Sequence, residues 1–181
     1  MNEDGRVQDI LIRDATSDDA AACAAIYGHY VETTVATFEL DAPSVATTAE
    51  RIAGCQAGHA WLVAQTDDQV VGFAYGTKFA ERAAYRWAAE VSVYLDPEVR
   101  RGGIGTALYD VLLPRLTERG FQVLTARIAQ PNDASNALHA RYGFERVGLL
   151  RRIGFKHDRW VDVAIMELEL APPAVSPAEP R

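Results

Sequence analysis

The run Val99-Arg100-Arg101-Gly102-Gly103-Ile104-Gly105-Thr106 lies between a β-rich segment and an amphipathic one beginning near Leu108, and it constrains the fold more than any other stretch. A strand that ends in glycines just ahead of a helix leaves unpaired N–H groups and the positive end of the helix dipole facing outward. Glycines remove the Cβ atoms that hold a phosphate away from those donors, so backbone alone builds an anion site. Arg100 and Arg101 add charge at its rim. A Walker loop needs Gly-Lys-Ser/Thr here, and a dinucleotide-binding loop needs a third glycine where Leu108 stands. Both nucleotide readings therefore weaken, and a glycine-rich helix start with solvated arginines is the plain alternative.

At 181 residues and 49% hydrophobic content, the chain supports one well-buried core and is too short for two ordinary domains. A net charge of -7 argues against a nucleic-acid partner held by counterion release and favours a small-molecule ligand bound locally by the arginines. Cys23 and Cys55 are the only cysteines, so neither a metal site nor a disulfide framework is expected, and both read as buried reduced thiols. The polar first residues lack the apolar core of a leader, and no stretch approaches the roughly 18 apolar residues of a membrane span. A cytoplasmic protein is the expectation. Residues 1–9 read as a flexible tail, residues 10–170 as one domain, and residues 171–181, with four prolines, as a second flexible tail.

Ile10-Leu11-Ile12 reads as a strand, and Thr16 to Asp19 as a helix start for the Ala-rich segment through Tyr30. A second helix is predicted over 46–57. Strands over 61–65 and 70–77 joined at Asp67-Asp68 read as a tight hairpin, and another strand spans 87–95 before Asp96-Pro97. Leu108, Leu112 and Leu116 put one helix face on a sheet, with Pro114 predicted to kink or end that helix. A strand over 121–128, a helix from Asp133 to Tyr142 closed by Gly143, and a last strand over 161–170 complete an α/β architecture around a mostly antiparallel sheet.

A site that moves protons beside a bound anion needs a base, a donor for a developing oxyanion and a source of protons. Glu90, alone in the apolar strand Trp87 to Leu95, is the candidate base; a carboxylate on a solvated strand face is the alternative. His139, on one helical side with Ser135, is a candidate acid, against a structural histidine. Asn132 or Asp133 reads as the cap of that helix. Arg82 and Tyr85 offer a guanidinium and a phenol to an anionic substrate, or else form a solvated loop. Gly154 to Trp160 reads as a hairpin connection.

Taken together, Arg100-x-x-Gly103-x-Gly105, the Arg82-x-x-Tyr85-x-Trp87-x-x-Glu90 run, His29 to Thr33, Val93-Tyr94-Leu95, Pro131-Asn132-Asp133, Leu138-His139 and Gly154 to His157 with Trp160 and Asp162 resemble GNAT-type N-acetyltransferases. The resemblance runs from about Ile12 to Leu170 and is to the phosphinothricin and methionine sulfoximine or sulfone acetyltransferases within that family. It implies the GNAT fold, with a central, mostly antiparallel twisted sheet flanked by helices, and acetyl-CoA as cosubstrate without a metal. It further implies Glu90 as base, acting directly or through water. The backbone of Ser92, Val93 and Tyr94 would lie along the pantetheine arm as an added strand. Arg100, Arg101, Gly102, Gly103, Ile104, Gly105 and Thr106 would hold the pyrophosphate, with Asn132 and Ser135 nearer the pantetheine. Many such enzymes carry a tyrosine at the position of His139, and here Tyr142 stands where the subgroup usually has leucine. Phe38, Arg82 and Tyr85 map to the substrate region, and the family is generally homodimeric, with Phe155 to Val161 near the interface.

The leading expectation is acetyl transfer from acetyl-CoA to the α-amine of a small amino acid such as phosphinothricin, methionine sulfoximine or methionine sulfone. An aminoglycoside, polyamine or protein N-terminus is the alternative acceptor, although a polycation calls for an acidic cleft and Arg82 favours an anion. A module that senses acyl-CoA without turnover is the reading from a different class, opposed by the presence of Glu90 beside a full phosphate loop.

Overall fold

A computed structural model describes residues 10–99, 102–170 and 177–181; the expected anion contacts of Arg100 and Arg101 lie outside the described residues. In chain order the elements are β1 (Leu11–Asp14), α1 (Ala20–Thr33), α2 (Val45–Gln56), β2 (Ala60–Thr66), β3 (Gln69–Lys78), β4 (Ala88–Leu95), α3 (Ile104–Glu118), β5 (Val123–Ala129), α4 (Asp133–Arg141), β6 (Glu145–Lys156) and β7 (Arg159–Glu169). The strands form one sheet ordered β1-β2-β3-β4-β5-β7-β6. Every pairing is antiparallel except β4 with β5. This arrangement is the one that the resemblance to the GNAT family implies.

Local chemistry explains most boundaries. Thr16 and Asp19 cap each other, the Thr16 N–H donating to Asp19 Oδ2 at 2.7 Å, and Asp19 is further fixed by a bidentate Arg13. Asp67 and Asp68 both take positive φ, as a two-residue hairpin with right-handed strand twist requires, and His157 and Asp158 repeat the device between β6 and β7. The α3 helix runs through Pro114 to Glu118, so the proline does not end it. Its predecessor in the i−4 position, Asp110, instead spends its side chain on the Tyr142 hydroxyl.

Alternation along the strands sorts the two faces of the sheet. One face sends Leu62, Ala74, Val91, Leu124 and Ala126 against Leu108, Leu112 and Leu116 of α3, as the leucine spacing predicts. Each such leucine, fully buried, contributes about 1.5–3 kcal/mol of transfer free energy. The other face carries Trp61, Phe73, Tyr75 and Tyr94, covered by α1 and α2 through Tyr27, Ile26 and Ile52. Glu90 and Ser92 share that second face with Tyr94, since they alternate with Val91 and Val93.

Three features stand apart from the sequence reading. The segment 145–156, most of which that reading assigns no element, is a seventh strand, and the hairpin connection expected over Gly154 to Trp160 has its turn at His157 and Asp158. The strand is exposed along most of its length and interrupted by irregularities near Arg146/Gly148 and Leu150/Gly154, where Arg152 takes φ 49°, so it shows no two-residue period. Among the described residues at the C-terminal end, Ala178, Glu179 and Arg181 each touch the domain. Trp87 Nε1 donates to the Ala178 carbonyl at 2.8 Å, Arg86 pairs with Glu179, and the Arg181 N–H donates to the Arg119 carbonyl. Finally, β4 begins at Ala88, with the Trp87 carbonyl accepting from Gln122 and Val123.

Candidate active site

The parallel seam between β4 and β5 is short. It pairs only Ala88, Ala89 and Glu90 with Val123, Leu124 and Thr125, after which the strands splay. The gap is a groove of about 210 Å³ lined by Ser92, Val93, Tyr94, Arg127, Asn132, Ser135 and Leu138 among others. Peptide groups of β4 beyond Glu90 that point toward β5 lack a strand partner, so they present a ladder edge to an extended ligand. Because the Val93 and Tyr94 side chains pack in the two cores, the contacts open to a ligand there are backbone ones.

One end of this groove is the start of α3. Gly103 is its cap residue with φ 90°, and the Gly103 carbonyl accepts the first intrahelical bond, from Ala107. The N–H groups ahead of Ala107 therefore have no intrahelical acceptor. A Cβ at Gly102 or Gly103 would meet no protein atom within 4 Å, whereas one at Gly105 would come 3.2 Å from Leu138. Gly102 and Gly103 thus leave open space in front of the donors, and Gly105 admits close packing of α4. Ile104 is a core residue whose side chain faces inward, and the Thr106 carbonyl accepts from the Tyr142 hydroxyl at 2.7 Å. An extended chain ending in a pyrophosphate fits this combination of splayed edge and open helix start.

Glu90 lines a second cavity, of about 480 Å³, with Tyr27, Thr37, Phe38, Glu39, Tyr75, Leu150 and Ile153. The two spaces meet, since Ala36, Ser92, Tyr94 and Arg127 line both. Glu90 is not the solitary carboxylate that its apolar neighbours suggest: Arg127 Nε lies 2.7 Å from its Oε2. The two form an ion pair without a hydrogen bond, because that buried oxygen has no aligned donor. Sequence reading missed Arg127, although alternation along Leu124-Thr125-Ala126-Arg127-Ile128 puts it on the Glu90 face.

His139 borders the same groove between β4 and β5. It is 2% exposed, with Nδ1 2.8 Å from the Ser135 carbonyl and Nε2 2.9 Å from the Tyr109 hydroxyl. A carbonyl only accepts, so Nδ1 carries the proton and Nε2 accepts from Tyr109. Burial holds the ring below its ordinary pKa, which favours the neutral form. A neutral ring with both nitrogens occupied has no proton ready for a thiolate. Asn132 caps α4, its Oδ1 accepting from the Ser135 N–H at 3.1 Å.

Of the expected substrate contacts, Phe38 lines the Glu90 cavity, while Arg82 and Tyr85 do not. Those two lie at a short 3-10 turn before β4, exposed, with the Tyr85 ring edge-on to Phe79. The loop bearing Phe38 is fixed by contacts invisible in local sequence. Tyr27 hydrogen-bonds Thr37 and Glu39, Arg51 grips Glu39 with both terminal nitrogens, and the buried Lys156 ammonium donates to the Thr37 carbonyl at 2.9 Å. Burial pushes the Lys156 pKa down, partly offset by Glu39. The Cys23 and Cys55 thiols are buried and free, with burial pushing each up to about 12.

A sheet opened beside one strand to take an extended carrier, with an anion cradle at one end and a carboxylate cavity at the other, defines the class of acyl-CoA-dependent acyltransferases. Within that class the chain belongs to the GNAT family: the model of the acetyltransferase (GNAT) domain matches residues 12–165. It is an acetyl-CoA-dependent N-acetyltransferase. It is 36% identical over 165 residues to a phosphinothricin N-acetyltransferase of Streptomyces viridochromogenes, covering 91% of this chain and 90% of that one. An L-methionine sulfoximine/L-methionine sulfone acetyltransferase of Pseudomonas paraeruginosa is 33% identical, over 92% and 98% of the two chains. The crystal structure of a phosphinothricin acetyltransferase from Sinorhizobium meliloti in complex with AcCoA superposes with a TM-score of 0.89, at 40% identity and 94% coverage of both chains.

Proposed function

We propose that the protein transfers the acetyl group of acetyl-CoA to the α-amine of a small amino acid of the phosphinothricin, methionine sulfoximine or methionine sulfone type, with Glu90 as general base. The observation that carries this reading is the junction of the groove and the Glu90 cavity at Ala36, Ser92, Tyr94 and Arg127. Acetyl-CoA supplies an acyl group activated as a thioester. Backbone of Ser92 to Tyr94 orients the pantetheine arm and offers N–H groups to the carbonyl oxygen. The N–H groups of Gly103 to Thr106 receive the pyrophosphate, and Asn132 and Ser135 border the arm.

Glu90 takes the proton of the incoming ammonium, directly or through water, so that the free amine nitrogen forms the new C–N bond as the C–S bond breaks. The nitrogen gives up its second proton to water as the amide forms, and water or the protonated Glu90 returns a proton to the sulfur, because His139 offers none. The acidic side chains of the cavity are already matched, Glu39 by Arg51 and Glu90 by Arg127, which disfavours a polycationic acceptor such as an aminoglycoside or polyamine. The relatives named for phosphinothricin and methionine sulfone add support, as does Phe38 in the cavity wall. The same reading places the enzyme in the cytoplasm, as a homodimer joined through β6 and β7. Val147, Ile153, Phe155 and Trp160 stand exposed there, and Leu150 and Ile153 also reach the Glu90 cavity.

The test is free-thiol release from acetyl-CoA with purified protein and L-phosphinothricin, methionine sulfoximine, methionine sulfone, common amino acids, a polyamine and an aminoglycoside. Turnover on the first three is the expected result. Turnover confined to other amines overturns the acceptor, and acetyl-CoA binding without any turnover overturns the enzyme reading in favour of a sensor.

A further inference from the structure

Arg127 stands two residues beyond the seam that joins β4 to β5, where the strands have already splayed, and it lines both the groove and the Glu90 cavity. Among the described residues it is the only arginine or lysine in either lining. Its Nε approaches Glu90 Oε2 at 2.7 Å without an aligned hydrogen bond, and neither terminal nitrogen hydrogen-bonds to another described residue. The other cations around the cavity are engaged: Arg51 places both terminal nitrogens on Glu39, and Lys156 donates to the Thr37 carbonyl. A guanidinium whose planar fork is open can take a carboxylate through two parallel hydrogen bonds.

The carboxylate half of the pair is also incomplete. Glu90 Oε2 is buried without a hydrogen-bond donor, and the Glu90 side chain is 15% exposed against 60% for Arg127. Buried carboxylate oxygens ordinarily hold a donor. The cavity thus sets an anion that lacks a donor beside a cation that lacks an acceptor. An α-amino acid zwitterion carries the reverse charges, its ammonium and its carboxylate attached to one carbon. Laid against the pair, it supplies the N–H donor to Glu90 and the acceptor to the Arg127 fork in a single pose. Arg82, the sequence candidate for anion binding, does not line this cavity.

We propose that Arg127 receives the α-carboxylate of the acceptor and is a specificity-determining residue, so that the enzyme takes α-amino acids and discriminates against the corresponding simple amines. The proposal rests on the reading of Glu90 as the transfer site. An acceptor without a carboxylate must take Glu90 from the guanidinium and offers it nothing in exchange. An acceptor with one gives the fork a bidentate partner and leaves Glu90 to the ammonium. Because Arg127 is more than half exposed, water softens the cost of leaving it unpaired, and the discrimination is smaller than at a fully buried polar site.

The experiment measures kcat/KM for two matched pairs, L-methionine sulfone with 3-(methylsulfonyl)propan-1-amine and L-phenylalanine with 2-phenylethylamine, each amine being the amino acid without its carboxylate. Wild type, Arg127→Gln and Arg127→Lys are compared. The wild type is expected to favour the amino acid in each pair that it turns over. Arg127→Gln is expected to lower the acid-to-amine ratio by about tenfold or more, mainly through a higher KM for the amino acid, as loss of a charged hydrogen-bonding pair implies. Arg127→Lys should restore part of the ratio, since a point charge keeps the attraction and loses the fork. Each ratio is internal to one variant, so a general loss of folded enzyme leaves it in place. A wild type that favours the amines, or a ratio unchanged in Arg127→Gln whatever the absolute rates, overturns the proposal and leaves Arg127 as a partner of Glu90 alone. Absence of turnover on every amine fails the transfer reading itself, and this proposal with it.

Discussion

Glu90 and Arg127 make the sharpest single-residue test. Glu90→Gln preserves shape and removes the proton acceptor, so turnover near neutral pH should drop by about 10²- to 10⁴-fold, the usual worth of a positioned base, while acetyl-CoA binding is retained. Steady-state rates beside calorimetric binding check this, and an unchanged rate takes Glu90 out of the base role. His139 yields a prediction of a different kind. Its folded pKa lies below the roughly 6.5 of an unfolded histidine because the neutral ring is buried. Above that value both states are neutral and nothing is lost. As pH falls below it, the unfolded chain binds a proton that the folded chain resists, so stability declines. Tm should therefore fall between pH 7.5 and 5.5. His139→Gln should flatten that slope without abolishing it, because burial also holds His59 down.

At the level of elements, the start of α3 and the loop after α1 depend on particular glycines. Gly103 occupies φ 90°, so Gly103→Ala should cost about 1–2 kcal/mol of stability and weaken acetyl-CoA binding by distorting the donors, measurable by denaturant melts and by titration. Gly154 lies directly under the Phe38 ring, leaving no room for a Cβ. Gly154→Ala should displace Phe38 and raise the acceptor KM while leaving that for acetyl-CoA in place, as two-substrate kinetics would show. How far such elements were legible depended on whether their signals were local. The leucine spacing of α3, the Asp67-Asp68 turn and the Thr16 to Asp19 cap are written within a few residues, and each led to the right structure. Strand β6 was not legible, because an exposed strand with irregular register lacks the alternation that marks a strand. In the candidate site, the glycine loop and Glu90 could be read along the chain. The grip of Lys156 on Thr37, across 119 residues, and the approach of Arg127 to Glu90 exist only after folding.

For the molecule as a whole, the exposed apolar side chains of β6 and β7 predict self-association. Phe155 is 55% exposed and Trp160 62% exposed, their rings in mutual edge contact, on the strand pair that closes one end of the sheet. Sedimentation should give a dimer for the wild type and a monomer for the double variant Phe155→Glu, Trp160→Glu. Loss of turnover should accompany the monomer, since Leu150 and Ile153 from the same strand line the Glu90 cavity.

The three-residue seam between β4 and β5 carries one more consequence. Four strands stand on one side of it and three on the other, so the sheet is continuous there by little more than Ala88 to Glu90 and the packing of α3 beneath. A bound acyl carrier lying in the groove would act as a splint across this joint. Amides of residues 91–95 and 126–129 that face the groove should therefore exchange with deuterium quickly in the free enzyme and slowly with CoA present, and the two halves should come apart there first when the molecule is pulled from its ends.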